Sequence, residues 1–223
     1  MHQIKSSINF VKDNLNFLFL LILPIVFVDL LSSYIFLGMG EITQPEDLRE
    51  YFFANQNSIF LVIIVGLVVQ VSYSGGVFVA MQSLVSGNYI SPINCLAEGV
   101  KKFFKLLGVS LLSGIAIIIG FLFLILPGIY FLARFALAPC LIMLKNKNIM
   151  DSLTESWEMT DEHGGKLFLF TLFFFSVAAI LVLIVNSYFA QSIFTLLLMA
   201  IAEQIILLPL FYLFHSLYIS SKT

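Results

Sequence analysis

The stretch KKFFKLLGVSLLSGIAIIIGFLFLILPGIYFLARFALAPCLIMLKNK, residues 101–147, decides the fold. Lysines bound it at both ends, and from Leu106 to Leu144 its only charged residue is Arg134. A helix needs about 20 apolar residues to cross the hydrocarbon core of a bilayer, so this run is too long for one crossing and suits two. LPGIY lies near its middle, where Pro127 and Gly128 predict a tight turn. Residues 104–126 and 129–144 therefore read as an out-and-back pair. The second of these is short and contains Pro139, which predicts a kinked or partly re-entrant crossing.

Working outward, the same reading finds further spans at 16–37, 58–85, 167–186 and 192–219, six in all. Composition agrees: of 223 residues, 60% are hydrophobic and only 11% charged, and the mean hydropathy is +1.03. A water-soluble domain is about half apolar and a quarter charged, so this chain lacks the polar surface to cover a core in water. The expected fold is an all-α polytopic membrane protein with one integral domain over 1–223. A net charge of −2 gives no pull toward nucleic acid. Lys5 and Lys12 before the apolar run that starts at Leu15 resemble a signal peptide, but Asp29 interrupts the run and no small-residue cleavage site follows. The first segment is read as a retained anchor. Cys95 and Cys140 are too few for a disulfide framework and are expected as free thiols.

Charge position gives the direction. Lys5, Lys12, Lys101, Lys102, Lys105, Lys145, Lys147, Lys166 and Lys222 all fall on one side of the six spans, whereas the other side holds only Arg49, within EITQPEDLREYF. Basic loops stay cytoplasmic, so both termini are predicted there.

Each span pair follows a short stretch with helical apolar spacing. Ile4, Ile8, Val11 and Leu15 form the first set; Ile93, Leu96, Ala97, Val100 and Phe104 the second; Met150, Leu153 and Trp157 the third. These predict amphipathic helices in the cytoplasmic interface, with Trp157, Lys101, Lys102 and Lys105 as anchors among the headgroups. INCLAEGV aligns with MDSLTESW at an offset of 57 residues, matching Leu96 with Leu153 and Glu98 with Glu155. Three pseudo-repeats follow, about 1–85, 92–144 and 149–219, each an interfacial helix and a hairpin. In the outer loop, Thr43 and Glu46 have capping-box spacing and Pro45 fits an early helical position, predicting a short surface helix there.

No familiar catalytic spacing is present, so no enzyme activity, cofactor or metal is expected. TDEHGGK, with Asp161, Glu162 and His163, reads as a solvated turn. The stronger signal is ionisable residues within spans, because each charge near mid-membrane costs about 2.5–3.5 kcal/mol unless it faces protein or water. Asp29 and Arg134 come out at similar depths by helical rise and are expected to pair. Glu203 with Gln204 lies nearer the midplane, as an ion or proton site or as a packing contact. His215 reads as interfacial. Ser72 to Gly76, Gly76 to Ala80 and Ser110 to Gly114 have the four-residue spacing of close helix seams. The 24 phenylalanines, dense in LFLFTLFFF, read as lipid contacts.

GGVFVAMQSLVSGNYIS (75–91) and LPGIYFLARFALAPCLIMLKNKNIMDSLTESWEMT (126–160) resemble the YciC-like family of bacterial inner-membrane proteins. More distantly they resemble the membrane domain of some glycerophosphodiester phosphodiesterases. The resemblance implies a multi-pass bacterial inner-membrane protein and lends no catalytic residue; Arg134 and the DEHGG loop stand outside its pattern. The expectation is a non-enzymatic protein that organises membrane lipids, or a membrane-protein partner or second copy of itself. The alternative is a small transporter or channel with a central site at Glu203.

Overall fold

The computed structural model describes residues 2–37, 44–190 and 192–221. Among these, helix is the only regular secondary structure: α1 His2–Asp13, α2 Leu15–Leu37, α3 Pro45–Ser86, α4 Pro92–Lys101, α5 Phe103–Phe123, α6 Ile125–Phe135, α7 Ala138–Lys145, α8 Ile149–Met159, α9 Gly164–Tyr188 and α10 Ile193–Ser220. Six stretches are long and apolar enough to cross a membrane: Leu15–Ile35, Pro45–Ser86, Phe103–Phe123, Ile125–Lys145, Gly164–Tyr188 and Ile193–Ser220.

Helix ends follow local chemistry. Pro45 opens α3 with Glu46 and Asp47 in its first turn, where carboxylates meet the positive end of the helix. Gly87, at φ +73°, closes α3 in a left-handed conformation that only glycine adopts without strain. Asn148 caps α8 by accepting from the Asp151 amide, and Ser192 caps α10 by accepting from that of Thr195.

The inner half of α3, from Val71 to Ser83, is the axis of the bundle. It packs against α2, α4, α5, α7 and α10, while α1 lies on α10 and α8 lies on α5, α6 and α7. Consecutive long helices also pack on one another: α2 on α3, α5 on α6, α9 on α10. The outer surfaces of α5 and α9 are apolar and bare, as at Leu122, Phe123 and Leu183. In water such a surface would drive aggregation; in lipid it is the solvated face.

Several expectations are corrected. The outer-loop helix is not separate, because α3 runs unbroken through it into the apolar stretch; Thr43 lies outside the described residues, as does Lys222. The turn between α5 and α6 is at Leu124, and Pro127 with Gly128 sits in the first turn of α6, where a missing amide costs no helical bond. The fourth span is longer than expected, 21 residues from Ile125 to Lys145, and it is interrupted at 136–137, just before Pro139, where a kink was expected. The Ser72–Gly76 seam is real, since a Cβ on Gly76 would stand 2.9 Å from the Cys95 carbonyl oxygen of α4. The Ser110–Gly114 spacing serves no close approach: nothing lies within 4 Å of the Gly114 position. His215 is fully buried, with Nε2 3.0 Å from Gln82 Oε1.

The two faces of α4 divide by residue size. Cys95 and Gly99 are buried against α3, whereas Ile93, Val100 and the following Phe104 point outward. Small residues allow helices to approach closely, and apolar residues lose nothing by facing lipid. Neither cysteine is in a disulfide and both are buried, and burial pushes the Cys95 thiol up to about 11. Thiolates, not thiols, react. A maleimide at pH 8 should therefore leave both residues unmodified in the extracted protein and label both after denaturation, as counted by intact mass.

Candidate functional site

Two helices that are apolar almost throughout bring a carboxyl and an amide into contact, with a second carboxyl beside the amide in sequence. Asp29 on α2 accepts a hydrogen bond from Gln204 Nε2 on α10 at 3.2 Å, across a separation of 175 residues. Glu203, next along α10 and half-buried, lies within electrostatic reach of Asp29. The packing of α2 on α10 sets this contact. Each helix carries an internal proline, Pro24 and Pro209, which removes a backbone donor five residues from the polar group. Tyr73 of α3 borders the same region: its ring meets Phe211 edge-on at 6.1 Å, and its hydroxyl is buried, within electrostatic reach of Asp29, with no hydrogen-bond partner.

Arg134 is not part of this group, and the expected Asp29–Arg134 pair does not form. Arg134 is 1% exposed and donates from Nη2 to Asp161 Oδ1 at 2.8 Å, in the loop between α8 and α9. Its guanidinium lies over Trp157 at 4.2 Å from the ring centroid and near Tyr130 at 5.8 Å. Its carbonyl accepts from Ser156 Oγ at 2.7 Å. A Cβ on Gly164 would stand 3.0 Å from Arg134 Nη1, so the glycine leaves room for the guanidinium. Depth along a span fixes one coordinate only; direction around α6 turns Arg134 toward α8 and α9, away from α2. TDEHGGK is correspondingly more than a solvated turn, although the Asp161 side chain is 75% exposed. Trp157 covers the arginine rather than serving only as an anchor.

The lysines expected as anchors fall into a third group. Lys102 donates to the carbonyls of Ile142 at 2.9 Å and Met143 at 3.2 Å, closing the last turn of α7. Burial, then the neighbouring Lys105, holds the Lys102 ammonium below its ordinary value. Lys105 donates to Asn146 Oδ1 at 3.4 Å, and Lys101 pairs with Glu98 at 2.6 Å. Lys145 and Lys147 both reach Glu155 of α8. Burial pushes that carboxyl up, and the hydrogen bonds from the two lysines outweigh it, holding the group below the usual range. Lys101, Lys105, Lys145 and Lys147 thus gather at one end of the bundle from two separate junctions. Sequence reading named the first cluster; its union with Lys145 and Lys147 needs the packing of α5 beside α7.

The model of Uncharacterised protein family (UPF0259) matches residues 55–219. No curated protein and no solved structure matches the chain.

Proposed function

Because this chain belongs to the uncharacterised protein family UPF0259, we propose a reading built on its own geometry: a multi-pass protein of a bacterial inner membrane that organises anionic lipid, or a partner held in such lipid, without catalysing a reaction. The observation that carries it is the arrangement of α4. This helix presses Cys95 and Gly99 against α3 and turns Ile93 and Val100 outward, 68% and 52% exposed, close to Lys101 and Lys105. An apolar flank beside lysines suits the headgroup boundary, with hydrocarbon on one side and lipid phosphate on the other.

The same design recurs in part. Ser7 and Val11 of α1, Cys95 and Gly99 of α4, and Ser152 and Ser156 of α8 are buried pairs, each four residues apart. The last two pairs stand in register at the offset where the sequence aligns. This supports three pseudo-repeats of interfacial helix and out-and-back span pair, with the lysine-rich end and both termini in the cytoplasm. The YciC-like resemblance points to the same membrane, and the distant likeness to the phosphodiesterase membrane domain belongs to the same proposal.

Native mass spectrometry of the protein extracted with its surrounding lipid tests this reading. Anionic phospholipid should be retained over zwitterionic. Lys101→Gln, Lys105→Gln and Lys147→Gln combined should weaken that preference by up to about a hundredfold at low salt, since each lysine at an anionic surface contributes about 1 kcal/mol. Lys102 is left intact because it closes α7. Equal retention of both lipid classes by the wild type would refute the proposal.

A second reading, a small transporter with a central site at Glu203, is favoured by one observation: the Gln204–Asp29 contact brings a second carboxyl to Glu203 within the apolar bundle.

A further inference from the structure

We propose that Asp29 and Glu203 hold one exchangeable proton between them inside the bundle, with Gln204 and Tyr73 as its hydrogen-bonding surround. The inference rests on the second reading above and deepens it by naming the ligand.

The argument begins with charge. Two ionised carboxylates in apolar surroundings would each lose water and repel the other, so the pair requires a compensating positive charge or a proton. No cation is within the spans that surround it. In α2 no other residue is charged, and α3 has no charged residue from Asn57 to Ser86. In α9 none is charged after Lys166, and α10 adds only His215, which bonds Gln82 about 18 Å along the helix from Glu203. His2, Lys5, Lys12 and Asp13 of α1 lie beyond the start of α2, about 20 Å along the helix from Asp29. In α4, Glu98 and Lys101 pair with each other, and Arg134 is taken by Asp161.

The surround distinguishes a proton from a metal ion. Gln204 turns its amide nitrogen, a donor, toward Asp29 Oδ2. A donor on a carboxylate oxygen suits a carboxyl–carboxylate pair, whereas a hard metal ion collects oxygen acceptors. Independently of the acids, Tyr73 is 3% exposed and keeps a hydroxyl without a partner, within electrostatic reach of Asp29. A buried hydroxyl left unpaired costs free energy, and a pair carrying one negative charge gives it an acceptor when the proton moves to the far carboxyl. The chemistry is simple: one O–H bond breaks at a carboxyl oxygen and another forms at the second carboxyl or at water.

Infrared spectroscopy of the full chain in phospholipid vesicles tests the proposal. At neutral pH the wild type should show the carbonyl band of a neutral carboxylic acid, and the band should shift on transfer to D2O. It should be lost in the double variant D29N/E203Q. In each single variant the remaining acid, freed of its like-charged neighbour, should give up its proton at lower pH. Absence of the band from the wild type, its survival in the double variant, or its removal by sodium at fixed pH would overturn the proton site. Both substitutions are isosteric, and the D2O shift needs no variant at all. Dissipation of a pH gradient by the same vesicles is a separate readout. A band without flux keeps the proton site and removes the transport reading, while absence of the band removes the site.

Discussion

Gly99→Ala should lower the melting temperature of the extracted protein more than alanine at any exposed or half-exposed glycine, and Gly99→Val should prevent recovery of folded protein. A Cβ at residue 99 would overlap the Ser72 carbonyl oxygen and stand 2.9 Å from the carbon that bears it and 3.1 Å from the Ser72 Cα. All three atoms are backbone of α3, inside its buried half, so no side-chain rotation relieves the contact. Overpacking of this kind costs about 1–3 kcal/mol where neighbours can give, and more where they cannot. Gly114→Ala is the matched control: it lies mid-helix in α5 with open space around it, and it should gain up to about 1 kcal/mol from helix propensity. Thermal unfolding of the three proteins in one detergent checks the order. Equal stability of Gly99→Ala and wild type would show that α3 and α4 are not in this register.

The second large effect concerns Arg134 and Asp161, and it is one of coupling. Asp161→Asn leaves a 1% exposed guanidinium without its ion partner. Breaking a fully buried pair costs about 3–5 kcal/mol, and the exposure of Asp161 to solvent reduces this to about 1–2 kcal/mol. Arg134→Met removes the charge that needs a partner, keeps a flexible apolar side chain against Trp157, and lets Asp161 return to water. Asp161→Asn should then have no effect in the Arg134→Met background. A double-mutant cycle on melting measures this, and additive effects would mean that the ion pair does not hold the α8–α9 loop to α6.

Legibility from sequence divides along a physical line. Hydropathy is a local property, so the six long apolar stretches and the three short helices that precede span pairs could be placed from composition along the chain. The break in the fourth span could be read from Pro139, but its length could not: it has 21 residues, as many as the first and third. What composition cannot carry is direction around a helix. The ionisable residues Asp29, Arg134, Glu203 and Gln204 stood out because charge in an apolar run is conspicuous, yet depth alone joined Asp29 to the wrong partner. For α4, apolar spacing marked the face left toward lipid, while the face packed on α3 is made by Cys95 and Gly99, whose smallness was its only signal in the sequence. Gln82, which meets His215, and Tyr73, beside Asp29, carried no signal of their own. Their roles exist only once α3, α2 and α10 are brought together.

The unbroken course of α3 has a mechanical consequence. Its 42 residues make a rod of about 63 Å, roughly twice the hydrocarbon thickness. Near one end, the Tyr51 hydroxyl donates to the Ile35 carbonyl of α2 at 2.7 Å; toward the other, Ser72 and Gly76 seat α4. With no loop between them to absorb a turn, the two ends share one rotational phase. A single inserted residue would swing one end about 100° relative to the other. α3 therefore acts as a torsion shaft, and the azimuth of its outer contacts with α2 is set by the same register that seats the inner helices.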